Sequence, residues 1–140
     1  MCSSDLGAEI TAERLDYVAR AHTHGRMVAQ VFCAALGETP REDFIPYVAD
    51  FFLQLEDVKW TVVAGRVGDT MIVSARNLGY SKNAGEFVRK YFADIGSAGG
   101  HRAMAKAVVP AAKFDEKFGR LSEAELSARL QELVAEFLAS

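Results

Sequence analysis

The chain has 140 residues, half of them hydrophobic and a quarter charged, which bounds it to one domain, or one domain with an attached helical element, able to bury a core. No apolar run approaches the roughly 20 residues that span a bilayer, and the opening residues Met1-Cys2-Ser3-Ser4-Asp5-Leu6-Gly7 lack the basic start and apolar core of a secretory signal. The net charge of −3 argues against a general nucleic-acid coat protein.

Two cysteines, Cys2 and Cys33, are too few for a disulfide framework, so a cytoplasmic, membrane-free setting is expected. The charge is unevenly spread. Residues 1–58 carry four basic and ten acidic side chains (−6), residues 59–120 eleven and five (+6), and residues 121–140 one and four (−3). A positive middle segment suits a small anion or a short nucleic acid held locally; the plain alternative is an unevenly charged solvated surface.

Residues 10–36 are predicted as one helix, because Ile10, Leu15, Val18, Ala19, Met27, Val28, Val31, Phe32 and Leu36 recur at helical spacing. Gly25 would weaken or bend it, Gly37 would stop it, and Cys33 would be a small core residue. His22 and His24, with Asp16 nearby, invite a metal reading. Side chains two apart on a helix diverge, so surface histidines are expected instead. A second helix should start with Thr39 as cap, Pro40 in the first turn and Glu42 closing a capping box. Its apolar face, Phe44, Ile45, Val48, Phe51, Phe52 and Leu55, is either core or an interface for another domain.

Two strands follow, Trp60 to Val67 and Thr70 to Arg76, joined by the hairpin turn Gly68-Asp69. Trp60 is expected as a core anchor rather than a base-stacking platform. The period of two sends Ser74 and Arg76 out on one face, where a hydroxyl and a guanidinium together grip a phosphate or a ribose. Arg76 alone would equally serve a surface ion pair. Asn83 and Glu86 cap a third helix with the buried stripe Ala84, Phe87, Val88, Tyr91 and Phe92, ended by Gly96.

The stretch Gly96-Ser97-Ala98-Gly99-Gly100-His101-Arg102 leads into a strand from Met104 to Val109, closed by Pro110. Its glycines leave the backbone unhindered, so that successive N–H groups could converge on an anion, with His101 and Arg102 adding donors at the lip. An ordinary Gly-rich turn is the competing reading. Ser122 and Glu125 form another capping box, opening a final amphipathic helix with Leu126, Leu130, Leu133, Val134, Phe137 and Leu138. The order α-α-β-β-α-β-α implies an α/β fold: a small mixed β-sheet flanked by helices, with an N-terminal helical connector and a C-terminal amphipathic helix. No Gly-Lys-Ser/Thr follows the glycines, which excludes a P-loop, and no nucleophile elbow supports a triad of Ser74, His101 and Asp94.

Gly99-Gly100-His101, with small residues before it and Arg102-Ala103-Met104-Ala105 after it, resembles the GGGH motif of the DHH phosphoesterases, which lies in their C-terminal, substrate-binding DHH-associated domain. Ser74-Ala75-Arg76 is similar to the Ser-x-Arg that ends a strand in those domains, and Asn83-Ala84-Gly85 to the start of the intervening helix. The resemblance covers roughly residues 40–112. It departs at Ser97 and Ala98, where many members have glycine, and at Lys106, in a region where glycine is common; the first would narrow the anion cradle and the second adds charge beside it.

The resemblance implies a role in hydrolysing phosphoester bonds of short oligonucleotides, nucleotide bisphosphates or cyclic dinucleotides. That chemistry uses two metal ions, usually manganese, held by Asp and His residues of an N-terminal domain that include an Asp-His-His triplet. This chain has no Asp-His-His. Manganese is therefore implied for a missing upstream catalytic domain, no cofactor is expected in this chain, and the chain alone is expected to be inactive. On this reading residues 1–37 are a tail and connector helix at the end of that domain, and 38–140 the substrate-binding domain. Gly99 and Gly100 are then backbone donors, His101 and Arg102 phosphate contacts, and Ser74 and Arg76 supporting contacts. The implied partners are a short oligonucleotide or nucleotide phosphate and the chain's own catalytic domain; a homodimer is also allowed. The alternative is a stand-alone interaction or regulatory module whose Gly-rich turn is structural.

Overall fold

A computed structural model describes residues 11–79 and 82–140; Cys2, Ile10 and the opening residues read above lie outside the described ones. In chain order the elements are α1 (Ala12–His24), β1 (Arg26–Val28), β2 (Val31–Glu38), α2 (Phe44–Leu53), β3 (Trp60–Val67), β4 (Thr70–Asn77), α3 (Ala84–Phe92), β5 (Ser97–Gly100), β6 (Met104–Pro110), α4 (Ala111–Phe118) and α5 (Glu123–Ala139). The six strands form one sheet in the order β1-β2-β3-β4-β6-β5. Only β2 and β3 run parallel. The fold is therefore α/β, a small mixed sheet flanked by helices, as the sequence predicts.

The helix expected over 10–36 is shorter. Thr11 caps α1 by accepting from Arg14 N–H at 3.1 Å, and Gly25 stops it, its N–H bonding Ala21 O at 2.7 Å. Two strands follow instead of more helix. Val31 to Leu36 are all buried, because β2 is covered on both faces. A strand so covered loses its alternation and reads as an unbroken apolar run, which helical spacing also fits. Gly37 is no helix stop: it lies at φ 73° where the β2–β3 register shifts between Ala35 and Glu38. Ser127 Oγ accepts from Ala35 N–H at 2.9 Å beside this irregularity. A division of the chain at 37/38 passes through the last residues of this strand.

The second helix begins four residues later than its expected first turn. Thr39 stays with the sheet, its N–H donating to Arg66 O and its hydroxyl to Gly37 O. Asp43 stands at the N-cap without a side-chain cap bond. Pro46 falls in the first turn of α2, where a missing N–H costs nothing. The other two caps hold as predicted: Asn83 Oδ1 accepts from Glu86 N–H, and Ser122 and Glu125 exchange both bonds of a capping box. The β3–β4 hairpin turns at Gly68, φ 60°.

The sheet separates two cores. On one face Trp60, Val62, Val73, Ala107 and Val109 pack against Phe87, Phe92, Phe114, Leu130 and Phe137 from α3, α4 and α5. Trp60 sits edge-on to Phe87 and Phe137, a core anchor as expected. On the other face Phe32, Ala34, Leu36, Val63 and Ile72 pack under α1 and α2. Those two helices reach only as far as β4. The β6–β5 end of that face carries no helix, and there Met104 and Lys106 are exposed.

Candidate functional site

The uncovered half-face is a cleft of about 360 Å³ between the entry of α2 and the β5–β6 hairpin. Its floor is the end of β4. Register places Ser74 opposite Lys106 and Arg76 opposite Met104, so four side chains from two strands share one face. Ser74, Arg76, Gly99, Gly100 and His101, separated in sequence by a whole helix, all line this cleft; Arg102 does not.

The Gly-rich stretch differs in conformation from the expected cradle. Ser97–Gly100 is an extended edge strand and His101 to Ala103 the turn, so successive N–H groups point in opposite directions rather than converging. His101 N–H donates to Met104 O at 2.9 Å, which fixes the phase of the ladder. Gly99 and Lys106 then form a hydrogen-bonded pair, and the Gly100 N–H is left outside the ladder at the edge. What Gly99 contributes is bare space: a Cβ built there meets nothing within 4 Å.

The first turn of α3 holds the hairpin. Ala84 N–H donates to Arg102 O and Gly85 N–H to His101 O, both at 3.0 Å, while Asn77 Nδ2 donates to Lys82 O and Arg102 O. The helix end is thereby occupied by protein carbonyls, and Arg102 serves the turn through its backbone. Gly85 is required by this contact, since a Cβ there would lie 2.7 Å from Gly100 O.

Ser74 is only 2 % exposed, yet its hydroxyl makes no hydrogen bond among the described residues. No fully buried side-chain oxygen or nitrogen in these residues lacks a partner, so the hydroxyl is the part of Ser74 that opens to the cleft. His101 Nδ1 accepts from Ala103 N–H at 3.3 Å, which leaves Nε2 of the neutral ring as donor. Both cations of the cleft are already partnered. Arg76 Nε binds Asp50 Oδ1 at 2.7 Å and its Nη1 binds Ala75 O at 3.1 Å; Lys106 Nζ reaches across to Glu42 Oε1 at 3.0 Å. The pairing of Lys106 with Ser74, and of Glu42 with Lys106, depends on long-range register, which no local pattern reveals.

The groups whose titration is clearly shifted lie elsewhere. Burial pushes the Cys33 thiol far up, leaving it inert. Burial and then the hydrogen bond to Glu136 push Tyr91 up to about 12. Lys117, donating to both oxygens of Asp94, holds that carboxyl below its ordinary value. With Asp94 committed to Lys117, Ser74, His101 and Asp94 form no relay. Among the described residues no three His, Cys, Asp or Glu side chains gather to hold a metal ion, His22 and His24 included. The described residues therefore do not fit a two-manganese centre. No helix among them is long and apolar enough to cross a membrane.

A further cleft of about 220 Å³ opens among Arg66, Asp115 and Arg120, with Arg66 bound to Asp115 at 2.9 Å. A wider one of about 520 Å³ lies by Lys59, Leu78 and Lys82. Neither presents an unpartnered, nearly buried polar group like Ser74.

The family model described as DHHA1 domain matches residues 28–137. The uncharacterized protein MJ1633 of Methanocaldococcus jannaschii is 33% identical over 132 residues, which are 90% of this chain and 27% of that protein. The chain thus spans about a quarter of that relative's length. Among solved structures, an exopolyphosphatase-related protein from Bacteroides fragilis superimposes with a TM-score of 0.61 at 13% identity, covering 90% of this chain and 35% of that one. A pGpG-specific phosphodiesterase, PggH, from Vibrio cholerae gives 0.52 at 12% identity, covering 87% and 39%. At such identities the two structures speak for the fold alone.

Proposed function

The chain belongs to the DHHA1 domain family, the DHH-associated domain, and from that premise we propose that its open half-face binds the phosphate end of a short oligonucleotide or nucleotide phosphate whose phosphoester is hydrolysed elsewhere in a longer protein. The observation that carries this reading is the Ser74 hydroxyl, nearly buried, unpartnered among the described residues, and open to the cleft. That hydroxyl has no bond among the described residues to give up, so it is free to donate to a ligand acceptor at that place. A phosphate there would accept from Ser74 Oγ and His101 Nε2, beside the fixed positive charge of Arg76.

Gly99 lets the ligand lie against bare backbone. Pro46 and the exposed Met104 supply apolar wall for a sugar or base. Backbone and phosphate contacts of this kind position a ligand without reading its sequence. Hydrolysis with manganese is assigned to a domain outside this chain, because the described residues do not fit the metals. The archaeal relative, of which this chain spans about a quarter, is long enough to hold such a domain, and the name of the Vibrio protein, a pGpG-specific phosphodiesterase, accords with phosphoester chemistry.

Calorimetric titration with the 5′-phosphorylated dinucleotide pGpG tests it. Gly99→Val should leave the melting temperature nearly unchanged, since a Cβ there meets no neighbour, yet abolish binding by filling the approach. His101→Ala should weaken binding about ten- to hundredfold, the loss of one charge-assisted bond. A folded Gly99→Val that binds as the parent does would overturn the assignment.

A further inference from the structure

Both cations that line the cleft are neutralised by carboxylates of the α2 segment, and the two pairs differ in kind. Asp50 holds Arg76, whose side chain is 11% exposed and which also bonds Ala75 O. That guanidinium is packed and anchored, so its pair is a fixed part of the floor. Glu42 holds Lys106, and these side chains are 50% and 49% exposed. They belong to different walls: Glu42 to the irregular segment before α2, Lys106 to β6 directly opposite Ser74. An exposed Lys–Glu pair contributes little on its own, and either partner rotates away at small cost.

We propose that Glu42 is a displaceable internal counter-ion of the cleft: in the free protein it occupies Lys106, and a ligand phosphate takes its place. The proposal rests on the reading of the cleft as a phosphate site. It makes Glu42, which no ligand needs to touch, a determinant of how strongly the site takes anions. A phosphate monoester, with about two charges near neutral pH, competes for Lys106 better than a phosphodiester with one. The latch therefore favours an end phosphate over an internal phosphodiester. Lys106 stands opposite Ser74, so a phosphate accepting from the Ser74 hydroxyl is placed to receive the freed ammonium as well.

Calorimetric titration of pGpG into the parent, Glu42→Gln, Lys106→Gln and the double variant, each first shown to melt as the parent does, tests the exchange. Glu42→Gln is expected to bind about three- to tenfold tighter, the range of an exposed ion pair released from competition. Lys106→Gln should bind weaker, and the double variant should match Lys106→Gln alone, because Glu42 acts through Lys106. Glu42→Ala, which removes the carboxylate without adding an amide, should repeat the gain.

Unchanged or weaker binding in both Glu42 variants overturns the proposal while leaving the phosphate site standing. So does an equal gain on the Lys106→Gln background, which would make Glu42 a general charge and no latch. A parent that binds no phosphorylated nucleotide removes the site itself, and the latch with it.

Discussion

Gly99 and Gly100 are neighbours with opposite constraints. Gly100 lies at φ 148°, and a Cβ there would come within 2.5 Å of Ala105 Cα and Met104 O. Gly99 has an ordinary φ and open space where its side chain would be. Gly100→Ala should therefore cost about 1–3 kcal/mol or more of stability, through backbone strain and forced displacement of β6. Gly99→Ala should stay within about 0.5 kcal/mol of the parent. Chemical denaturation of the two variants checks this; equal stabilities would mean that β5 does not pair with β6 in the described register. The sequence showed a run of glycines but not which was structural, because that depends on what packs above each one. The same holds for Arg76: its type and strand position were legible, but its partner Asp50 is 26 residues away and comes from α2.

At the scale of elements, local signals worked where the local chain decides. The caps at Asn83 and Ser122 and the turn at Gly68 were legible because each is satisfied within three or four residues. Thr39 misled because the sheet holds it: its N–H goes to Arg66 O and its hydroxyl donates to Gly37 O, with the helix starting only at Phe44. β2 misled because burial on both faces erases its alternation. β1 and β5 are three and four residues long, too short for a pattern, and α4 was not foreseen.

This last helix is tied to the end of α3 by Lys117, which bonds Tyr91 O at 2.6 Å and Asp94 at 2.9 Å. Because Lys117 depresses the folded-state pKa of Asp94, the pair stabilises fully above the ordinary Asp range and loses that contribution as pH falls through the depressed value. Lys117→Met should therefore melt lower than the parent at neutral pH, with part of the difference vanishing in strong acid. A gap that stays constant with pH would show that Asp94 takes no part in it.

Across the whole molecule, the proposed binding site follows from an asymmetry of covering. One face of the sheet is roofed by α3, α4 and α5; the other is roofed by α1 and α2 only as far as β4. The exposed remainder brings together residues from three strands and a turn. The basic excess of residues 59–120 coincides with the strands that line the cleft, but pairing within the cleft leaves Arg76 and Lys106 balanced by Asp50 and Glu42. The proposed site thus rests on donors open to the cleft more than on net charge. Amide chemical shifts of the isotopically labelled chain, followed while pGpG is added, test this most directly. Saturable shifts are expected at Ser74, Arg76, Gly99, Gly100, His101 and Lys106, with α4 and α5 unmoved; shifts clustered instead around Arg66 and Arg120 or around Lys59 and Lys82, or none at saturating ligand, would rule this site out.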